Sequence, residues 1–371
     1  MKVKILADIL DSAFYTGVPD SQLRLLCDYL MQQEGISLGH VIAANEGNAV
    51  ALAAGEYLAT GRIPVVYMQN SGIGNAVNPI LSLINDKVYG IPCIFIVGWR
   101  GEPGIQDEPQ HISQGELTIP LLERLGLRAC VIDEKTSEND IRHELEKAGG
   151  WFRQGKSLAF VVKKDALEND ARSDYHNAYS LLREEVIECI TEVAYRDVIV
   201  ATTGKAGREL YEIRERKGQS HKYDFLTVGS MGHCSSIALG IALNKPDKRV
   251  WCIDGDGALL MHLGAMAIIG NRKPENFVHI VINNEAHESV GGMPTAAGTM
   301  NIPQIALGCG YEAAVSVQSM EELKGQLWRA KQNSILRLIE VKCAIGARAG
   351  LGRPKMTPKE NRDSFMEYLR K

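Results

Sequence analysis

None of the eight cysteines falls in a CxxC pair, so the spacing that most zinc sites require is missing. Cys27, Cys93, Cys130, Cys189, Cys234, Cys252, Cys309 and Cys343 sit mostly among apolar residues, which predicts buried free thiols rather than a disulfide framework. No run of 18 apolar residues occurs, so no membrane-spanning helix is expected, and no signal peptide opens the chain. A reducing cytoplasm is therefore the expected location. The formal net charge of −4 provides no basic field for nucleic acid. There is no strict repeat and no low-complexity tract. The stretch GKAGR (204–208) is not a phosphate-binding Walker loop, because the upstream glycine and the Ser/Thr after the lysine are absent.

What the chain does have is material for two ordinary domains: 371 residues, 45% hydrophobic and 23% charged. Residues 1–167 alternate helix-like and strand-like stretches. SQLRLLCDYLMQQEG (21–35) and GNAVALAAGEYLATG (47–61) have helical character. HVIAA (40–44), IPVVYMQ (63–69), IPCIFIVG (91–98) and LAFVVK (158–163) are β-rich runs. The polar stretch 168–180 reads as a linker. Residues 181–371 then repeat the alternation, with DVIVATTG (197–204), CSSIALGIAL (234–243), RVWCID (249–254), FVHIVIN (277–283), ILRLIEVK (335–342) and a terminal helix over 358–370. The expected fold class is α/β: two consecutive domains, each a mainly parallel sheet flanked by helices.

The chemistry concentrates in WCIDGDGALLMHLG, beginning at Trp251, and HIVINNEAHESVGG, beginning at His279. A strand that ends in glycines before a helix aims backbone N–H groups at an anion, usually a phosphate. Asp256 sits where it would repel that phosphate, unless a divalent cation bridges carboxylate and phosphate oxygens. The second strand ends at Asn283 and Asn284, and an amide oxygen suits a hard cation. ALLMHLGAMAIIG is expected to be the crossover helix that sets the two strand ends side by side. A GDG alone is an ordinary turn; strand, GDG, helix, strand and NN together form a metal-and-phosphate pattern at the carboxyl end of a parallel sheet.

This pattern resembles the thiamine diphosphate enzymes. The resemblance implies that Asp256, Asn284 and the carbonyl of Ala286 hold Mg²⁺. It implies that Gly204, Ser230, Met231, Gly255, Gly257 and Ala258 line the cofactor, with Met231 beneath it enforcing a bent conformation. AANEGNAVALAAGEYLATG resembles the stretch of that family in which a glutamate, here Glu46, bonds the aminopyrimidine ring and sets off deprotonation of the thiazolium carbon. A buried carboxyl can share its proton with a ring nitrogen. Asn45 and Glu46 equally suit a plain helix start.

Along most of its length the chain resembles the phosphonopyruvate decarboxylases within that family, with sulfopyruvate decarboxylases as near relatives. The blocks that carry this are FYTGVPDS (14–21), MQNSGIGNAVNP (68–79), GWRGEPGIQDEPQH (98–111), TTGKAGREL (202–210) and NNEAHESVGGMPT (283–295). The implied substrate is a small 2-oxo acid with a 3-phosphonate, which needs cations and oriented donors. Arg100, Lys205 and Arg208, with Ser21 and Asn70, are the candidates, and His111 and His287 are candidate proton carriers. GARAGLGRPK (346–355) places Arg348, Arg353 and Lys355 among glycines, as a candidate lid. The resemblance also implies a homo-oligomer with active sites shared between subunits. A sulfonate substrate, a carboligase and a non-catalytic cofactor-binding subunit remain open at this point.

Overall fold

The computed structural model describes residues 1–170 and 172–371. Residue 171, inside the expected linker, lies outside the described residues. The chain forms two compact units: Met1–Asp174 with Val290–Met293, and Tyr175–Ser289 with Pro294–Lys371.

In the first unit six strands make one parallel sheet. They are β1 (Tyr15–Gly17), β2 (His40–Ile42), β3 (Val65–Gln69), β4 (Ile94–Gly98), β5 (Leu127–Ile132) and β6 (Ser157–Val162), in the order β2-β1-β3-β4-β6-β5. The second unit contains β7 (Val198–Ala201), β8 (Asp224–Leu226), β9 (Val250–Gly255) and β10 (Phe277–Asn283). The two-residue strands β11 (Ala286–His287) and β12 (Met293–Pro294) follow, then β13 (Ala313–Val317) and β14 (Arg337–Lys342). Its parallel sheet runs β13-β14-β10-β9-β7-β8. Strand for strand this is the connectivity of the first sheet. In each, the chain steps outward once, then returns past its first strand, so the ends of β1 and β3, and of β7 and β9, flank the point where direction reverses.

Central strands are buried on both faces, as helices on both sides of a sheet require: β4, β6 and β10 are buried throughout. Their continuous Val/Ile runs are why they are legible in the sequence. The three-residue strands β1 and β8 carry no such run, and β13 is Ala-Ala-Val-Ser-Val. The helix expected over 47–61 starts one residue earlier, at Glu46. Asn45 caps it by accepting from the Asn48 N–H at 2.9 Å, and Gly61 ends it at φ 70°.

One expectation is corrected. The crossover after β9 is not one helix but two, Asp256–Met261 and Gly264–Arg272. At His262 the backbone leaves helical angles (φ −136°, ψ 50°), and its ring packs 4.3 Å, centroid to centroid, from that of His233. All eight cysteines are free, and Cys234 and Cys252 touch in the core with sulfurs 3.3 Å apart. No described helix is long and apolar enough to cross a membrane.

Candidate active site

In the first unit Glu46 is the first residue of a helix and is only 4% exposed. The helix N-terminus favours its negative form, whereas burial opposes it. Burial prevails: the carboxyl is held above the ordinary carboxylate range, although Asn75 Nδ2 donates to Oε2 at 2.8 Å. The backbone presses against it, since a Cβ on Gly72 would lie 2.3 Å from Glu46 Oε1.

A second group gathers where β1, β3 and β4 end. Arg100 grips Asp107 through Nε (2.8 Å) and Nη2, and its Nη1 donates to Ser21 Oγ at 3.1 Å. Asp107 is thereby held well below the usual carboxylate range. Asn70 donates to the Arg100 carbonyl and to Thr118 Oγ1, both at 2.8 Å, and accepts from the Arg100 N–H at 3.2 Å. Its amide is thus committed to holding the loop after β4. His111 is buried and its Nδ1 meets no hydrogen-bond partner. Burial, aided by the Arg100 charge, lowers its pKa and favours neutral imidazole. Sequence reasoning missed Asp20, whose carboxyl is fully buried. It accepts from Gln69 Nε2 (2.5 Å) and the Gln22 N–H (3.1 Å), and burial raises its pKa. The signal was available, because Asp20 precedes Ser21 in the loop just after β1.

In the second unit the ends of β9 and β10 bring Asp256, Asn284 and Ala286 together. Asp256 is 4% exposed and starts a helix directly after β9. Burial raises its carboxyl to about 6, against donation from Thr295 Oγ1 at 2.7 Å and from the backbone N–H groups of Gly257, Asp256 and Ala286. The Ala286 N–H also donates to Asn284 Oδ1 at 3.2 Å. Gly257 lies under His287, where a Cβ would stand 3.1 Å from Nδ1 and 3.3 Å from Met231 Cε. Glycine there lets Met231, the GDG turn and His287 converge. Burial alone lowers His287 to about 4, so its imidazole is neutral at physiological pH.

The loop ahead of His233 is conformationally unusual. Gly229, Ser230 and Gly232 all have positive φ, and Ser230 at 46° is the non-glycine among them. Gly204 (φ 94°) begins the helix Lys205–Arg216. Lys205 Nζ donates to Glu288 Oε1 at 2.8 Å, while Arg208 lies half-buried one turn on. Gly255 ends β9 and opens the GDG turn, and Ala258 follows it in the helix Asp256–Met261. In the candidate lid segment Arg348 pairs with Glu184 (2.9 Å) and Glu212, and the Gly352 N–H donates to Glu212 Oε1 at 2.6 Å. Thr295, Arg183, Glu209 and Glu288 also escaped sequence reasoning: Thr295 and Arg183 lie far along the chain from Asp256 and Glu288, and Glu288, close after Asn284, belongs to no metal pattern.

Residues 3–120 match the N-terminal TPP binding domain of thiamine pyrophosphate enzymes, and residues 202–341 match their C-terminal TPP binding domain. The chain belongs to the thiamine pyrophosphate enzymes. It stands on their decarboxylase branch. It is 33% identical to a phosphonopyruvate decarboxylase of Streptomyces viridochromogenes, covering 95% of this chain and 90% of that one. A phosphonopyruvate decarboxylase of Streptomyces hygroscopicus is 32% identical, with 95% and 89% covered. A sulfopyruvate decarboxylase of Methanosarcina acetivorans is 28% identical, with 87% and 86% covered. The family's cofactor is thiamine diphosphate. The residues present fit it: the second unit offers buried hard oxygen donors beside a GDG turn with no Cβ at Gly257, and the first a buried carboxyl of raised pKa.

Proposed function

We propose that this enzyme decarboxylates 3-phosphonopyruvate to phosphonoacetaldehyde and CO₂, using thiamine diphosphate and Mg²⁺. The observation that carries the substrate is the one-third identity to phosphonopyruvate decarboxylases along 95% of the chain. The cofactor supplies an electron sink that lets the bond to the carboxylate carbon break. Asp256, Asn284 and the Ala286 carbonyl would hold Mg²⁺, and through it the diphosphate. Burial keeps the Glu46 carboxyl above the ordinary range, which suits it to share a proton with a ring nitrogen. His111 and His287, both neutral, can pass protons to the product. Ser21, Arg100, Lys205 and Arg208 are the groups for the substrate's anionic end. Asn70 supports them by holding the Arg100 backbone.

One observation favours sulfopyruvate as a second reading. Arg100 and Lys205 each already carry a carboxylate partner, Asp107 and Glu288. The positive charge left for a dianion is reduced, which suits a singly charged sulfonate. A homo-oligomer, with Glu46 of one subunit serving the cation site of another, belongs to the same reading and is tested by light scattering. The decisive assay is CO₂ release from phosphonopyruvate, sulfopyruvate and pyruvate, with and without thiamine diphosphate and Mg²⁺. Cofactor-dependent release fastest with phosphonopyruvate is expected. Preference for sulfopyruvate would change the substrate and keep the mechanism, and no release from any would remove the decarboxylase reading.

A further inference from the structure

An asparagine is an ambiguous metal ligand. Its oxygen suits a hard cation, but a half-turn about its last bond presents an NH₂ group instead, which repels one. Something must fix the amide, and in the second unit two groups do: the Ala286 N–H donates to Oδ1 at 3.2 Å, and Glu288 holds the nitrogen. Glu288 Oε2 accepts from Asn284 Nδ2 at 2.8 Å. A carboxylate only accepts, so the nitrogen must face it, and Oδ1, which accepts from the Ala286 N–H, keeps its second lone pair for a cation.

Glu288 is itself held. Arg183 Nη1 donates to Oε2 at 2.6 Å and Nη2 to Oε1 at 3.4 Å, while Lys205 Nζ reaches Oε1 at 2.8 Å. Arg183 is anchored in turn by a fork onto Glu209, at 2.7 and 2.8 Å. The side chains of Arg183 and Glu288 are both 8% exposed and that of Glu209 is 1% exposed, so water replaces none of these partners cheaply. Lys205 is the first residue of the helix that follows Gly204 and β7. One carboxylate therefore bridges the loop after β10 and the helix start after β7.

We infer that Glu288 is a positioning residue. It fixes the Asn284 amide with its oxygen presented for the cation and anchors Lys205 at the adjoining helix start. This deepens the proposed function and rests on the reading of Asp256 and Asn284 as metal ligands. In that role Glu288 does for Asn284 what an outer carboxylate does for a metal-bound histidine, whose partners typically cost 10–100-fold in metal affinity when removed.

The test uses the full chain with thiamine diphosphate present and Mn²⁺ as the probe, free Mn²⁺ being read by electron paramagnetic resonance. Glu288→Gln presents an amide that is free to turn its own NH₂ toward Asn284. Mn²⁺ affinity should fall roughly 10–100-fold, with most of kcat returning at saturating metal, which a damaged fold would not give. Glu288→Asp keeps the charge beside Arg183 but is one methylene short, and should fall between. The sharper arm is Asn284→Asp, which gives a ligand with two equivalent oxygens and nothing to orient. In that background Glu288→Gln should no longer weaken Mn²⁺ binding, because it removes a carboxylate facing a carboxylate. Equal weakening in both backgrounds, or unchanged affinity in Glu288→Gln, would overturn the role. Unchanged affinity in Asp256→Ala would instead sink the metal reading itself, and the Glu288 role with it.

Discussion

Glu46 and Asp256 are two buried carboxylates, each 4% exposed and each the first residue of a helix. The sheets that carry them share one connectivity. Yet they stand at different places on that frame, Glu46 beyond the second strand of its sheet and Asp256 at the end of the third. Their surroundings differ more. Glu46 has two donors, the Asn75 amide and its own backbone N–H. Asp256 has the Thr295 hydroxyl and three backbone N–H groups, and its neighbours add an amide oxygen. A carboxyl with few donors in an apolar setting keeps its proton within reach of exchange. One surrounded by donors and oxygen ligands is fixed in direction and suited to a cation. Under the proposed function equal burial serves two tasks, and the donor count separates them.

The largest effect that can break this contrast is Glu46→Gln. Turnover should fall by roughly 10²–10⁴-fold, the usual contribution of a positioned proton carrier, with cofactor binding kept. Asp256→Ala should instead lose metal-dependent cofactor binding, read by calorimetry. If both variants fail in the same way, the division of labour is wrong.

Next comes a pair of glycines. Gly72→Ala places a methyl 2.3 Å from Glu46 Oε1, closer than atoms tolerate, so Glu46 must move. Gly257→Ala meets His287 Nδ1 at 3.1 Å and Met231 Cε at 3.3 Å, which a shift of tenths of an ångström relieves. Overpacking of this kind costs about 1–3 kcal/mol. Steady-state assays should show kcat falling more for Gly72→Ala.

A smaller effect concerns pH. The raised pKa of Glu46 means that the fold favours its neutral form. That contribution is fully present below the ordinary carboxylate pKa and is lost as pH rises through the raised value. Glu46→Gln is neutral at every pH, so its Tm should exceed the parent's at pH 8, with the gap narrowing toward pH 5. A gap that widens on acidification would contradict the assignment. The smallest expected change is Asn75→Leu, which removes the one side-chain donor that lowers the Glu46 pKa. The corresponding limb of the pH–rate profile should move to more alkaline pH.

Much of this was legible in the sequence because it is carried by local pattern. The buried Val/Ile runs of β4, β6, β9 and β10 announce a parallel sheet, and GDG with NN marks the ends of β9 and β10. Glu46 was readable from the small-residue helix behind it. The short strands β1 and β8 were not, since three residues carry no period. The break at His262 was hidden because both helices are apolar and the residues it packs against, Gly232 and His233, are distant in sequence. Thr295 lies 39 residues from Asp256, and Arg183 lies 105 from Glu288. No spacing rule links such pairs. The charges of Arg100, Lys205 and Arg348 were visible, but the carboxylates that hold them were not.

The most direct test of the central claim is a calorimetric titration of thiamine diphosphate, with Mg²⁺ present, into the Glu46→Gln protein, coupled to a turnover assay of the same sample. The account predicts cofactor binding close to that of the parent, with turnover almost abolished. Turnover that survives the substitution would contradict it.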